Sequence, residues 1–189
     1  MLELSALDWP SDRAALLALD TNHVSDRMLR LELGARSVSL VEQVLPAAIR
    51  RAYRLDDIVD ALAGYAWVRV ARDGGSVVGL AALALEAWNQ RARLEHLYVA
   101  AGARGQGLGR ALVESAMEAA RGLGARGVWV ETQTSNAGAV GFYERVGFRW
   151  CGFDSSLYDP QAVANSEVGI FFWRSVGDDG PALAGATPN

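Results

Sequence analysis

Between residues 65 and 133, three short apolar strands run into a glycine-rich turn, a helix and a further strand. "YAWVRVARDGGSVVGLAALALEAW" reads as strand, Asp73-Gly74-Gly75 turn, strand, because a Gly-Gly pair supplies the positive φ angles a tight hairpin needs. "WNQR" turns again and "ARLEHLYVA" is the third strand, which completes an antiparallel meander. A helix over 107–123 follows, with Leu108, Ala111, Leu112, Ala116, Ala119 and Leu123 forming one apolar stripe against a sheet. The next strand, "RGVWVETQ", is reached through that helical crossover and must run parallel to its predecessor. A sheet that is antiparallel first and parallel afterwards, with helices packed on it, is therefore expected.

The flanks complete an α/β domain. Residues 10–19 read as a helix, and "SDRMLRLEL" and "SVSLVEQVL" as two short strands around Gly34, with Pro46 interrupting. "DDIVDALAG" is a short helix capped by Asp56 or Asp57 and stopped by Gly64. "SNAGAVGFYERVGF" is a second long helix, capped by Ser135 or Asn136 and closed by Gly147. "FRWCGFD" and "EVGIFFWRS" are the last strands. At 189 residues the chain reads as one domain over 1–175 with a patternless tail over 176–189. A net charge of −4 argues against general nucleic-acid binding, which needs a basic face. The longest uncharged apolar stretch, 77–85, is too short to span a bilayer. "MLELSALDWPSDR" has no apolar signal core, and the single Cys151 cannot form an internal disulfide, so a cytoplasmic protein is expected.

The turn itself, "VAAGARGQGLGRALVES", puts four glycines and two arginines where the helix begins. A helix N-terminus carries unpaired N–H groups and partial positive charge, so bare backbone flanked by Arg104 and Arg110 suits a phosphate. Two phosphate-binding patterns fail. A dinucleotide fingerprint has the strand, the loop, the helix and Glu131 roughly 20 residues on. Its glycine register breaks, however: the third glycine would fall at Arg110 or Leu112. A P-loop lacks its Gly-Lys-Ser/Thr.

"RGQGLG", Arg104 to Gly109, resembles the R/Q-x-x-G-x-G/A pattern of the GNAT superfamily of acetyl-CoA-dependent N-acetyltransferases. "NAGAVGFYERVGF" resembles that family's second signature, and the likeness covers 65–173. "VETQTSNAGAVGFYERVGFRWCGFDSSLY" is similar to members that acetylate a β-lysine amine of streptothricin; 34–64 has no useful match. The resemblance implies the GNAT fold: a mixed central sheet with an antiparallel meander and a splayed parallel strand pair, flanked by helices. It implies acetyl-CoA as donor and a small-molecule amine as acceptor, and it is compatible with a homodimer. It implies that Arg104, Gly105, Gln106, Gly107, Leu108, Gly109 and Arg110 wrap the pyrophosphate. Leu97, Tyr98 and Val99 would pair with the pantetheine arm, Asn136 would hydrogen-bond the cofactor, and Tyr143 would protonate the leaving thiolate. A polyamine, amino-acid or protein-lysine acceptor, or a non-catalytic acyl-CoA-binding module, stays open.

An alkylamine of pKa near ~10.4 must lose a proton before it can attack a thioester. Glu95 is the candidate base, because strand alternation places it with Leu97 and Val99 on one face. Its alternative is a charge on a solvated face. Glu131 either holds the substrate amine or ends a strand. Asp154 and Tyr158 fall where substrate loops are expected, and Trp88 with Asn89 sits at a turn placed near the cleft mouth. Gly138 and Gly141 weaken their helix by about 1 kcal/mol each, explained by a close ligand or by packing. His96 reads as a surface or core histidine, and His23 is isolated, so a metal site is not expected. Cys151 reads as a buried strand residue rather than a nucleophile.

Overall fold

A computed structural model describes residues 2–159 and 167–177. Seven strands form one sheet in the order β1-β4-β5-β6-β7-β9-β8. They are β1 (Leu2–Ala6), β4 (Trp67–Asp73), β5 (Ser76–Glu86), β6 (Arg91–Val99), β7 (Gly127–Gln133), β8 (Arg149–Asp154) and β9 (Gly169–Ser175). A separate two-stranded ribbon, β2 (His23–Leu33) and β3 (Val38–Arg51), precedes β4. The helices are α1 (Arg13–Leu17), α2 (Asp56–Val59), α3 (Leu108–Gly122) and α4 (Ala137–Arg145). The expected tail lies, from residue 178 onward, outside the described residues.

The meander forms as expected. Asp73 pairs with Ser76 across Gly74 and Gly75, both at positive φ, which only glycine adopts readily twice in succession. β7 runs parallel to β6, but only Arg91–Arg93 pair with Gly127–Trp129. Beyond Arg93 the two strands diverge, and the gap between them is the cleft. The main core lies between the sheet and the helices α3 and α4, with Leu94, Leu112, Val128, Val130, Ile170 and Phe172 at its centre. A smaller core beneath α1 and α2 holds Leu16, Val59, Leu62, Val70 and Leu80.

Several expectations are corrected. β1 has no periodic signal, yet it pairs with β4 along the sheet edge. The helix expected over 10–19 shrinks to α1, and its stripe is anchored by Leu16 alone. Neither Asp56 nor Asp57 caps α2; both lie in its first turn, where their charge opposes the exposed N–H dipoles favourably. Pro46 does not end β3, but it interrupts the pairing. The register jumps from Ser25–Ile49 to Arg27–Val44, so residues 45–48 bulge out and remove the need for a proline N–H. On α3 the buried stripe is Leu108, Leu112, Val113, Ala116, Met117 and Ala120, while Ala111 and Leu123 face outward. Asn136 caps α4, its Oδ1 accepting from the Ala139 N–H at 3.1 Å, and Gly147 closes it at φ +89.

Candidate active site

The cleft between β6 and β7 encloses about 670 Å³. Its donor side is built by the glycine turn, the end of β6 and α4; its opposite side by the ribbon, residues 21–25, and Tyr53. Gly105 and Gly107 have φ of +77 and +84, and a Cβ on either would meet nothing within 4 Å. These glycines therefore shape the backbone rather than relieve crowding. The first helical bond of α3 runs from the Ala111 N–H to the Gly107 carbonyl, so the amides ahead of it have no helical partners. Gly109 differs: a Cβ there would sit 3.1 Å from Phe142, so its bareness lets α3 and α4 approach.

The end of β6 presents backbone to the gap. The Ala100 N–H bonds to the Val78 carbonyl on β5, so by strand alternation the Val99 and Leu97 N–H groups face away from β5, into the split. The Val99 carbonyl, on that same side, accepts from Arg104 Nε at 2.9 Å. The other Arg104 nitrogens reach the carbonyls of Asn22 and Thr21, at 2.6 and 3.2 Å. Arg104 is thus a strut. The cationic rim of the turn is Arg110, one nitrogen of which donates to the Arg145 carbonyl at 2.8 Å, with the Arg145 side chain beside it; both residues line the cleft. Leu97, Tyr98, Val99, Gly105, Gly107, Gly109 and Asn136 line it as well. Gln106 does not, donating instead to the Gly102 carbonyl, and Leu108 is buried in the core.

Tyr143 lines the cleft on α4 with its ring packed against Phe142, Phe148 and Phe172. Burial, then the facing Glu131, Tyr53 and Tyr98, pushes its phenol well above the usual range, so it stays protonated at neutral pH. Gly138 also lines the cleft, and a Cβ there would meet only Asn136 Oδ1, at 3.9 Å. Packing does not require that glycine, and the bare position leaves room for a ligand. Gly141 meets only the Arg145 guanidinium.

Glu95 is displaced from its expected face. Ala82 pairs with His96 but Leu83 with Leu94, so Glu95 is the extra residue of a β-bulge. Leu94, Leu97 and Val99 all pack toward the main core, whereas Glu95 turns to Arg93, in ion-pair contact without hydrogen-bond alignment. It still lines the cleft. Glu131 also lines it, half-buried, and accepts from the Tyr158 hydroxyl. Burial raises its carboxyl above the usual range. Trp88 and Asn89 lie at the β5–β6 turn, the closed end of the strand pair, and Trp88 is 86% exposed. Asp154 lines no part of the cleft; it caps its own turn, accepting from the Ser156 N–H and hydroxyl at 2.7 Å each. Cys151 is exposed rather than buried.

Sequence reasoning missed the far wall. The Tyr53 hydroxyl donates to Gln133 Oε1 at 2.9 Å and accepts from Asn136 Nδ2 at 3.4 Å. The Tyr53 backbone is held by Thr21 Oγ1 through both its N–H and its carbonyl. His23 stacks on the Tyr53 ring at 5.5 Å, and burial, then Arg104 and Arg51, lowers its pKa. His96 is buried against Tyr65, Nε2 to hydroxyl 3.0 Å, and burial drops its pKa to about 4. No cluster of metal-ligating side chains exists among the described residues. No helix among them is long and apolar enough to cross a membrane.

Residues 28–148 match the Acetyltransferase (GNAT) family. The chain belongs to the GNAT family of acetyltransferases. A streptothricin acetyltransferase of Streptomyces lavendulae is 45% identical over 96 residues, 51% of this chain and 50% of that protein. One from Escherichia coli is 32% identical over 49% of this chain and 53% of its own length. The chain thus spans about half the length of the curated relatives it matches. The crystal structure of nourseothricin acetyltransferase superimposes with a TM-score of 0.81 at 30% identity, covering 93% of this chain and 99% of that one. A structure from Bacillus anthracis str. Ames, in complex with acetyl coenzyme A, shares the fold with a TM-score of 0.79 at 22% identity, over 93% and 97% of the two chains.

Proposed function

We propose that this protein transfers the acetyl group of acetyl-CoA to a primary alkylamine by direct attack with both substrates bound, and that the acceptor is a streptothricin-type antibiotic carrying a β-lysine amine. One observation carries the reading. The unpaired amides of the Gly107 turn, the bare backbone of Leu97 and Val99 and the Tyr143 phenol all line the same gap between diverging strands.

Acetyl-CoA supplies an acetyl thioester, electrophilic at its carbonyl carbon. The α3 amides and the Arg110–Arg145 rim suit its diphosphate. Leu97 and Val99 offer strand-like hydrogen bonds to its amide-bearing arm, and the Val99 N–H is the donor for the carbonyl oxygen as charge develops there. Tyr143 holds the proton for the departing sulfur. A thiol titrates near ~8.5, well below a phenol, so proton transfer from Tyr143 alone would run uphill. Refilling the phenolate from the attacking nitrogen, which loses two protons in all, makes the sum favourable. A cytoplasmic location fits a chain whose single cysteine forms no disulfide.

Thiol release, followed with acetyl-CoA and an amine panel that includes streptothricin, tests this reading. Turnover that falls by about 10²–10⁴-fold in Tyr143→Phe is expected for a lost general acid. Saturable coenzyme binding with no turnover on any amine would indicate a binding module instead.

A further inference from the structure

The acids on the acceptor side of the cleft differ in one respect, namely what each is paired with. Glu95 contacts Arg93, whose guanidinium also lies over the Trp129 ring at 5.6 Å. Glu167, with its side chain fully buried, receives two nitrogens of Arg51 at 2.5 and 3.2 Å and the Ser135 hydroxyl. Glu131 pairs with no cation among the described residues; its hydrogen-bond partner is the Tyr158 hydroxyl. A half-buried carboxylate without a counter-charge is costly unless a cation arrives. It opens on the cleft that also holds Tyr143.

Resting on the acetyl-transfer reading, we propose that Glu131 binds the acceptor's ammonium group and takes its proton, and that the Tyr158 hydroxyl fills the ammonium position until the acceptor displaces it. The groups facing Glu131 are Tyr158 from the turn after β8, Tyr143 from α4 and Glu167 ahead of β9. None of them is a cation, so the ammonium meets no competing positive charge there among the described residues. Glu95, the other acid lining the cleft, already has Arg93 as its counter-charge.

The proton account then closes. The ammonium gives one proton to Glu131, and the freed lone pair forms the N–C bond as the C–S bond breaks. Tyr143 gives the sulfur its proton, and the second proton leaving nitrogen refills the phenolate. Glu131 passes the first proton to solvent, so the products are one amide, one thiol and one released proton. The chemical consequence is selectivity. The site takes acceptors that carry an alkylammonium at the reacting position and excludes neutral alcohols of the same shape.

The test compares Glu131→Gln, Glu131→Asp, Glu95→Gln and Tyr158→Phe in the full chain, using streptothricin and 1,5-diaminopentane as acceptors. Calorimetry measures coenzyme A affinity, and 1,5-diaminopentane affinity for the coenzyme complex. Glu131→Gln is expected to raise the acceptor KM and Kd by about 100-fold or more and to lower kcat, with coenzyme affinity unchanged. Glu131→Asp should recover part of that loss, which a misfolded variant would not. Glu95→Gln should change each value by less than about 10-fold. Tyr158→Phe should lower the acceptor KM, because nothing then has to be displaced; a merely structural tyrosine would raise it. An acceptor Kd that stays within about threefold in Glu131→Gln, or a larger loss in Glu95→Gln, overturns the inference. Wild-type protein that binds no coenzyme overturns the acetyl-transfer reading instead, and diamine calorimetry on the coenzyme-free wild type and Glu131→Gln still reports on Glu131.

Discussion

The two walls of the cleft are made differently. The donor wall is backbone: glycines at positive φ, a helix start without partners, and strand amides turned into a gap. The acceptor wall is side chain: Tyr53 strung between Gln133 and Asn136, and Glu131 bonded to Tyr158, with the buried Glu167 locked by Arg51 behind them. Backbone suits a ligand shared by a whole family, since its geometry needs only glycine in the right places. Side chains are where one member can differ from the next. Substitutions should therefore separate cleanly, with donor-wall changes moving coenzyme affinity and acceptor-wall changes moving the amine.

The largest effect is expected from Tyr143→Phe, where kcat falls by about 10²–10⁴-fold while calorimetric coenzyme affinity holds. A parallel loss of affinity would mean that the phenol holds the coenzyme as well as its proton. Next comes Arg51→Ala, which strands the buried Glu167 carboxylate and should destabilise the fold by about 3–5 kcal/mol, read as a drop in Tm. The charge-matched double change Arg51→Met with Glu167→Met should recover most of it, which would mark the pair as an anchor for the ribbon rather than part of the chemistry. Gly107→Ala puts a side chain at φ +84 and should weaken coenzyme binding by about 10-fold, from roughly 1–2 kcal/mol of strain, with acceptor KM little changed.

A smaller effect follows from His96. Its folded pKa, about 4, lies below the unfolded value of about 6.5, so the unfolded chain binds more protons between those limits. The stability tied to the neutral ring is complete above about pH 6.5 and is lost as pH falls toward 4. Denaturant titrations of His96→Gln should show a flatter pH dependence across that window. Trp88→Ala, at the closed end of the strands, should leave kcat and both KM values within about twofold. A larger change would extend the acceptor wall beyond its present bounds.

The same contrast explains what could be read from the sequence. The donor wall was legible because its requirements are local: a glycine at a fixed offset, a cap, an alternating strand. The meander, the crossover, Asn136 at its cap and Gly147 at its stop all followed from short-range rules. The acceptor wall was not legible, because Tyr53 reaches Gln133 across 80 residues and Arg51 reaches Glu167 across 116. No spacing announces such pairs. The bulge at Glu95 was hidden for a related reason. Alternation predicts a face only while the register holds, and an inserted residue leaves no mark in an otherwise β-forming run. Arg104 deceived in the opposite sense: its place in the turn suggested an anion, whereas three carbonyls occupy it.

Those three carbonyls join parts of the molecule that lie far apart along the chain. One belongs to Val99, beside the donor amides; another to Thr21, whose hydroxyl fixes the Tyr53 backbone. The glycine turn and the opposite wall therefore hang on a single guanidinium, and removing it would loosen the footing of both at once.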